Sequence, residues 1–272
     1  MKIAYTINGL VGGFEGRNSE GKTTKDDHVL ILKYISDILE KNIISHNDVD
    51  IFIFSWHTEL EDEFNKYLSP TRMKLKKQID FKIPEHLKNG NTKRVFAYKS
   101  RWYGFKEAMN LVWEHEADNQ FKYDLVVSSR FDICWNNPYK FDKLDVNKFH
   151  IPMHPDRPTY GWPDMDRGPI MGAEIIDHIF ASNSDIMLHY STMFDFMDQY
   201  TLPGNCPAWN TISNHFLMVW HLRELGLLSE DIVQKSFTNW HDWNPKIIGG
   251  SKDPEIDYDI FRYRKLNRED IA

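Results

Sequence analysis

The chain alternates short unbroken apolar runs with longer amphipathic stretches. Lys2 to Asn8 is one such run, carrying Ile3, Ala4, Tyr5 and Ile7, and it ends at a glycine-rich stretch with Gly9, Gly12, Gly13 and Gly16. Asp48 to Ser55 is a second run, and Tyr123 to Ser128 a third. Uninterrupted apolar runs of strand length fit strands buried on both faces. Between them, Asp27 to Lys41 places Val29, Leu32, Ile35, Ile38 and Leu39 at helical spacing. Ser100 is positioned to cap another helix running to about Glu116, with Trp102, Phe105, Met109, Val112 and Trp113 on one face. Strands alternating with helices predict an α/β fold: a mostly parallel, Rossmann-like sheet flanked by helices in a single compact domain.

The second half is less regular. Pro152 to Pro169 holds five prolines, two glycines and five charged residues, and reads as a long surface loop of the kind that often carries function. Ile175 to Ala181 is a short strand, and Ser184 caps a helix with Met187, Tyr190, Phe194 and Met197 on one stripe. Trp209 to Leu227 is a further helix, closed near Gly226. From Asp253 onward the chain is charged and reads as frayed or draped over the surface. No internal repeat interrupts this order.

Composition narrows the classes. A chain of 272 residues with 41% apolar and 27% charged positions can bury a sizeable core, which excludes collagen-like and wholly disordered proteins. Lys plus Arg number 33 against 40 Asp plus Glu, a net charge of −7, so the basic footprint of a nucleic-acid binder is missing. The 14% aromatic content, with 9 Trp, suits flat polar ligands such as bases and sugars, or simply a Trp-rich core. Two cysteines, Cys134 and Cys206, do not make a disulfide framework, and no Asn-x-Ser/Thr acceptor occurs; both point to a reducing, cytoplasmic setting. The opening is too short and too broken for a signal peptide, and no apolar run is long enough to predict a membrane span.

In open α/β sheets, ligands bind beyond the carboxyl ends of the strands. After the first run come Asn8, Gly9 and, further on, Arg17: glycines allow close backbone approach and an arginine can meet a phosphate, although a plain flexible loop would look the same. After the second comes Trp56, which can stack on a base or sugar or plug the sheet edge. After the third come Arg130 and Asp132, two apart and so on one side of an extended chain. Asp132 can hold a divalent cation and Arg130 a phosphate, or the two can form an ion pair that closes the strand.

Tyr123, Asp124, Val126, Arg130 and Asp132 together resemble a strand motif of GT-A-type glycosyltransferases of bacterial, algal and viral polysaccharide pathways. Asp50, Phe52 and Trp56 resemble that family's second strand, and Asp177 to Met187, with Phe180 between, is similar to a third segment. The three fall in the family's order over roughly residues 1 to 225. The resemblance implies a GT-A-like domain with a nucleotide-sugar-binding half (1–135), an acceptor-binding half (136–250) and a charged tail (251–272). It implies transfer of a sugar from a nucleotide-diphosphate sugar to a carbohydrate acceptor; inversion is the expectation, and a retaining course, which would change the catalytic roles, stays open. The donor would meet Asn8, Gly9, Arg17, Trp56, Arg130 and Asp132, with uridine or guanosine as the base.

The family's usual metal motif is Asp-x-Asp, which would hold manganese or magnesium on the diphosphate. Here Arg130 stands where the first aspartate is expected. Asp132 and the late His241 are the metal candidates, and the departure weighs against metal dependence, because an arginine neutralises diphosphate charge without an ion. His241 can equally be a hydrogen-bonded structural residue. Inversion needs a general base on the acceptor hydroxyl. Asp177, at the start of the expected strand, is the first candidate; Asp164 and Asp166 in the Pro-rich loop are its rivals. Tyr160, Trp162 and Arg167 of that loop supply the stacking faces and donors that an acceptor sugar would use. Two other classes remain open: a non-catalytic carbohydrate-binding protein, and a metal-dependent phosphoester hydrolase using Asp132, Asp166 and His241.

Overall fold

The computed structural model describes residues 1–11, 25–88, 92–153, 175, 177–206, 214–229, 231–238 and 257–260. The three apolar runs become strands β1 (Lys2–Gly9), β2 (Asp48–Ser55) and, with β3 (Arg72–Leu75) preceding it, β4 (Leu125–Arg130). Their side chains alternate between two cores. Ala4, Phe52 and Val126 enter one apolar cluster. Ile3, Tyr5, Ile7, Ile51, Ile53, Leu125 and Val127 enter another on the opposite face. Neither face meets water, so the runs carry no polar alternation.

Further along lie β5 (Ile133–Trp135), β6 (Phe149–Met153), β7 (Phe180–Ser182), β8 (Val233–Thr238) and β9 (Tyr258–Ile260). The main sheet has seven strands in the order β3-β2-β1-β4-β7-β6-β8, and β5 and β9 form a separate pair. β1 runs parallel to β2 and β4, β2 to β3, and β6 to β8. Within the main sheet, among the described residues, only β7 is antiparallel, to β4 on one side and β6 on the other, while β5 and β9 pair antiparallel. The sheet is therefore mixed but mostly parallel, as expected, and it runs unbroken through both of the halves expected from sequence.

Helices flank it. α1 (Lys25–Asn42) and α2 (Glu61–Leu68) bury Ile31, Leu32, Ile35, Leu39, Phe64 and Leu68 against one face. α3 (Thr92–Asn119), α4 (Ser184–Ser191), α5 (Met193–Tyr200) and α6 (Asn214–Glu224) cover the other. α6 is closed by Gly226, whose φ of +69° lies in the left-handed region that favours glycine.

Several expectations are corrected. α3 starts at Thr92, so Ser100 lies inside it; buried Val95 and Tyr98 hold the earlier turns on the core. Trp113 is 53% exposed and stands apart from the buried stripe of Trp102, Phe105, Met109 and Val112. The third strand begins at Leu125 and continues through the polar Ser128, Ser129 and Arg130, past where the apolar run ends. Of the strand expected from Ile175, only the part from Phe180 forms, and it extends to Ser182. The Met187–Met197 stripe is buried as expected, but it is divided between α4 and α5. The α4 cap is Asn183, not Ser184: its side chain accepts from the Ile186 N–H. Ser184 Oγ instead donates to Glu116 Oε2 at 2.8 Å. The tail is also not wholly draped, since Tyr258 is fully buried and β9 pairs with β5. Among the described residues no helix is long and apolar enough to cross a membrane.

Candidate functional site

From β1 the strand order moves outward to β2 and β3, then returns to the other side of β1 with β4. The carboxyl ends of β1 and β4 therefore flank a topological switch point, where α/β sheets bind ligands. A polar cluster occupies it. Asn8 and Arg130 are partners in the β1–β4 register. Asn8 is almost fully buried, and its Nδ2 donates to the Ser129 carbonyl at 3.2 Å and to Ser128 Oγ at 3.4 Å. Its Oδ1 accepts from Arg101 Nη1, a residue of α3. Gly104 allows α3 to lie this close to the sheet, since a Cβ there would stand 3.2 Å from the Phe54 ring.

Asp177 joins the two arginines. Arg101 Nη2 donates to the Asp177 carbonyl at 3.1 Å, and its Nε lies 3.8 Å from Asp177 Oδ2. Arg130 Nη1 lies 3.4 Å from Asp177 Oδ1. Arg130 also grips Asp132 with both ends of its fork: Nε donates to Oδ1 at 2.7 Å, and Nη2 to Oδ2. Asp132 reaches back because residues 131 and 132 form a turn between β4 and β5.

The electrostatics follow from burial. Side-chain exposure is 10% for Arg101 and 13% for Asp177. Burial draws the Arg101 guanidinium down to about 10, against the pull of Asp177. Burial alone would raise the Asp177 carboxyl; Arg130, His215, His178 and Arg101 outweigh it and hold the group well below the usual carboxylate range. His215 Nδ1 is 2.7 Å from the Ile175 carbonyl, and His178 Nδ1 is 3.2 Å from the Tyr258 hydroxyl. Arg101 Nε–H is buried and has no hydrogen-bond partner among the described residues.

Of the residues singled out in the sequence, Asn8, Arg130, Asp132 and Asp177 meet here, and Gly9 borders the cluster. Gly9 has φ +116°, strained for any other residue, and its carbonyl accepts from Ser55 Oγ at 2.9 Å. As found, Asp132 is the ion-pair partner of Arg130, and a guanidinium stands against both of its oxygens. This geometry does not fit a divalent cation between them. Asp177 lies in a bend three residues before β7 rather than at the start of a strand.

Trp56 is 6% exposed and packs in an aromatic knot, stacked on Tyr103 and edge-on to Phe54 and Phe81. It plugs the sheet edge. Arg17, Tyr160, Trp162, Asp164, Asp166, Arg167 and His241 lie outside the described residues.

Sequence reasoning missed Arg101, His178 and His215. For Arg101 a signal existed: it sits at helical spacing with Tyr98, Phe105 and Ala108, an arginine within an apolar stripe. No protein-family model and no curated protein matches the chain.

Proposed function

We propose that the chain is a nucleotide-sugar-dependent glycosyltransferase of the GT-A type, in which Arg101 and Arg130 meet the donor diphosphate at the switch point. One observation carries the reading. A buried guanidinium at the carboxyl edge of the parallel strands keeps an N–H, Arg101 Nε, with no hydrogen-bond partner among the described residues, the Asp177 carboxylate standing 3.8 Å away. A buried donor left unpaired is costly, and an anion reaching it would satisfy it. The Rossmann-like order β3-β2-β1-β4 supports a nucleotide in this crevice.

Diphosphate charge would then be met by arginine forks, and no step runs through a metal at Asp132. Asp177 holds both guanidiniums in place and is too weak a base to accept a proton at neutral pH. The base role passes to Asp164 or Asp166, with Tyr160, Trp162 and Arg167 beside the acceptor.

Calorimetric titration with uridine and guanosine diphosphates and their sugars, in the presence of EDTA, tests this. Binding of one class is expected, with at least a tenfold loss in Arg101→Met and Arg130→Met. A ligand at 100 times its dissociation constant adds about 2.7 kcal/mol of apparent stability, so thermal shift reads the same event. Absence of nucleotide binding at millimolar concentration overturns the reading, and binding that requires manganese overturns the arginine assignment. Sugar binding without nucleotide binding would indicate a carbohydrate-binding protein, and phosphate release without sugar transfer a hydrolase.

A further inference from the structure

A second cluster lies beyond the carboxyl end of β2. His57 lies two residues beyond the strand, with its backbone N–H 3.2 Å from Ser55 Oγ, and it leads into a 3-10 turn over Thr58–Leu60. Fully buried Leu60 anchors that turn and fixes the place of Glu59. His28 comes from the opening turns of α1 and is 8% exposed. The His28 and His57 ring centroids are 4.3 Å apart. One ligand atom from each of His28, His57 and Glu59 lies within 4.8 Å of the other two.

We propose that His28, His57 and Glu59 form a binding site for a divalent transition-metal ion of the zinc class. Two imidazoles and one carboxylate are the donor set such ions prefer, whereas magnesium and calcium take oxygen. Glu59 Oε1 lies 2.6 Å from His57 Nδ1. An ion held by both groups would take the place of the proton between that oxygen and that nitrogen, since metal binding at imidazole and carboxylate releases protons. His57 Nε2 is buried and finds no hydrogen-bond donor among the described residues.

A cation shared among the three groups answers the close approach of two imidazoles and a carboxylate. Ligand atoms around one zinc ion at about 2 Å sit about 3.4 Å apart, so groups already within 4.8 Å of one another need only small side-chain shifts to close on an ion. The Glu59 side chain is 48% exposed, which leaves a side of the ion open to water or an exogenous ligand. The inference is independent of the nucleotide-sugar reading.

The test strips the full chain with EDTA and titrates it with zinc chloride by calorimetry. One ion per chain is expected, with binding at least about tenfold weaker in His28→Gln and in His57→Gln and unchanged in Arg130→Met. Circular dichroism confirms that each variant folds. Cobalt(II) added to the wild-type chain is a reading that needs no variant: intense visible bands of a four- or five-coordinate ion are expected. The pale spectrum of the hexa-aquo ion overturns the proposal. So does sub-stoichiometric zinc binding, wild-type affinity in the His28→Gln/His57→Gln double variant, or equal competition by magnesium.

Discussion

At the scale of single residues, Asp177 and His221 have roles set by what surrounds them. Asp177 is a carboxylate between Arg101 and Arg130, nearly out of water. A general base needs a pKa near the working pH, and the cations around Asp177 move it the other way. Asp177→Asn is therefore expected to lower stability by about 3 kcal/mol, because it takes the carboxylate charge from beside the buried Arg101 guanidinium. Urea unfolding reads the loss; an unchanged midpoint together with a collapse in turnover would return Asp177 to the role of base. His221 is fully buried, with Nδ1 2.7 Å from the Tyr200 hydroxyl, and burial pulls it from the usual 6.5 to about 4. The unfolded chain takes up this proton below about pH 6.5, while the folded chain refuses it until about pH 4. The stability is present above that window and is lost as pH falls through it. Between roughly pH 7 and pH 5 the effect amounts to about 2 kcal/mol. His221→Gln should remove that share of the acid sensitivity in paired unfolding curves, leaving whatever His150, also lowered by burial, contributes.

At the scale of elements, continuous apolar strands and the α1 period were legible because those segments answer to one rule each. β2 spans Asp48–Ser55 in both sequence and structure, and α1 differs only at its ends. The ends of α3 and β4 were not legible, because tertiary context sets them. Val95 and Tyr98 extend α3 backward onto the core, and the β1 edge gives Ser128, Ser129 and Arg130 parallel partners that an isolated run of serines would not suggest. The same limit applies to the site. Asn8, Gly9, Arg130 and Asp132 follow strands and could be named from the sequence. Arg101 comes from a helix, and only the packing of α3 on the sheet through Gly104 brings it to Asn8. The α4 cap offers an element-scale test. Asn183 Oδ1 accepts the Ile186 N–H at 2.9 Å, so Asn183→Ala should cost about 1 kcal/mol by chemical denaturation. Asn183→Asp should restore most of it. No loss in the alanine variant would mean that tertiary packing alone sets the start of α4.

At the scale of the whole molecule, the switch point is assembled from segments far apart in the chain, and the tail is one of them. Asn8 comes from β1, Arg101 from α3, Arg130 from β4 and Asp177 from the approach to β7. His178, next to Asp177, meets the hydroxyl of Tyr258 at 3.2 Å. Tyr258 is fully buried, its ring 6.0 Å from that of Trp135, and β9 pairs with β5, the strand that follows Asp132. β9 thus meets the site through two contacts: Tyr258 with His178, next to Asp177, and the pairing with β5, which follows Asp132. Tyr258→Ala should cost about 3 kcal/mol, as removal of a large buried aromatic does, and should also weaken nucleotide binding as Asp177 and Asp132 lose their backing. Tyr258→Phe keeps the ring and removes only the hydroxyl contact with His178, so about 1 kcal/mol is expected, with nucleotide affinity nearly unchanged. Melting curves and nucleotide titrations on the two variants separate the contributions. Full nucleotide affinity in Tyr258→Ala, measured below its melting transition, would show that β9 stabilises the fold without ordering the site.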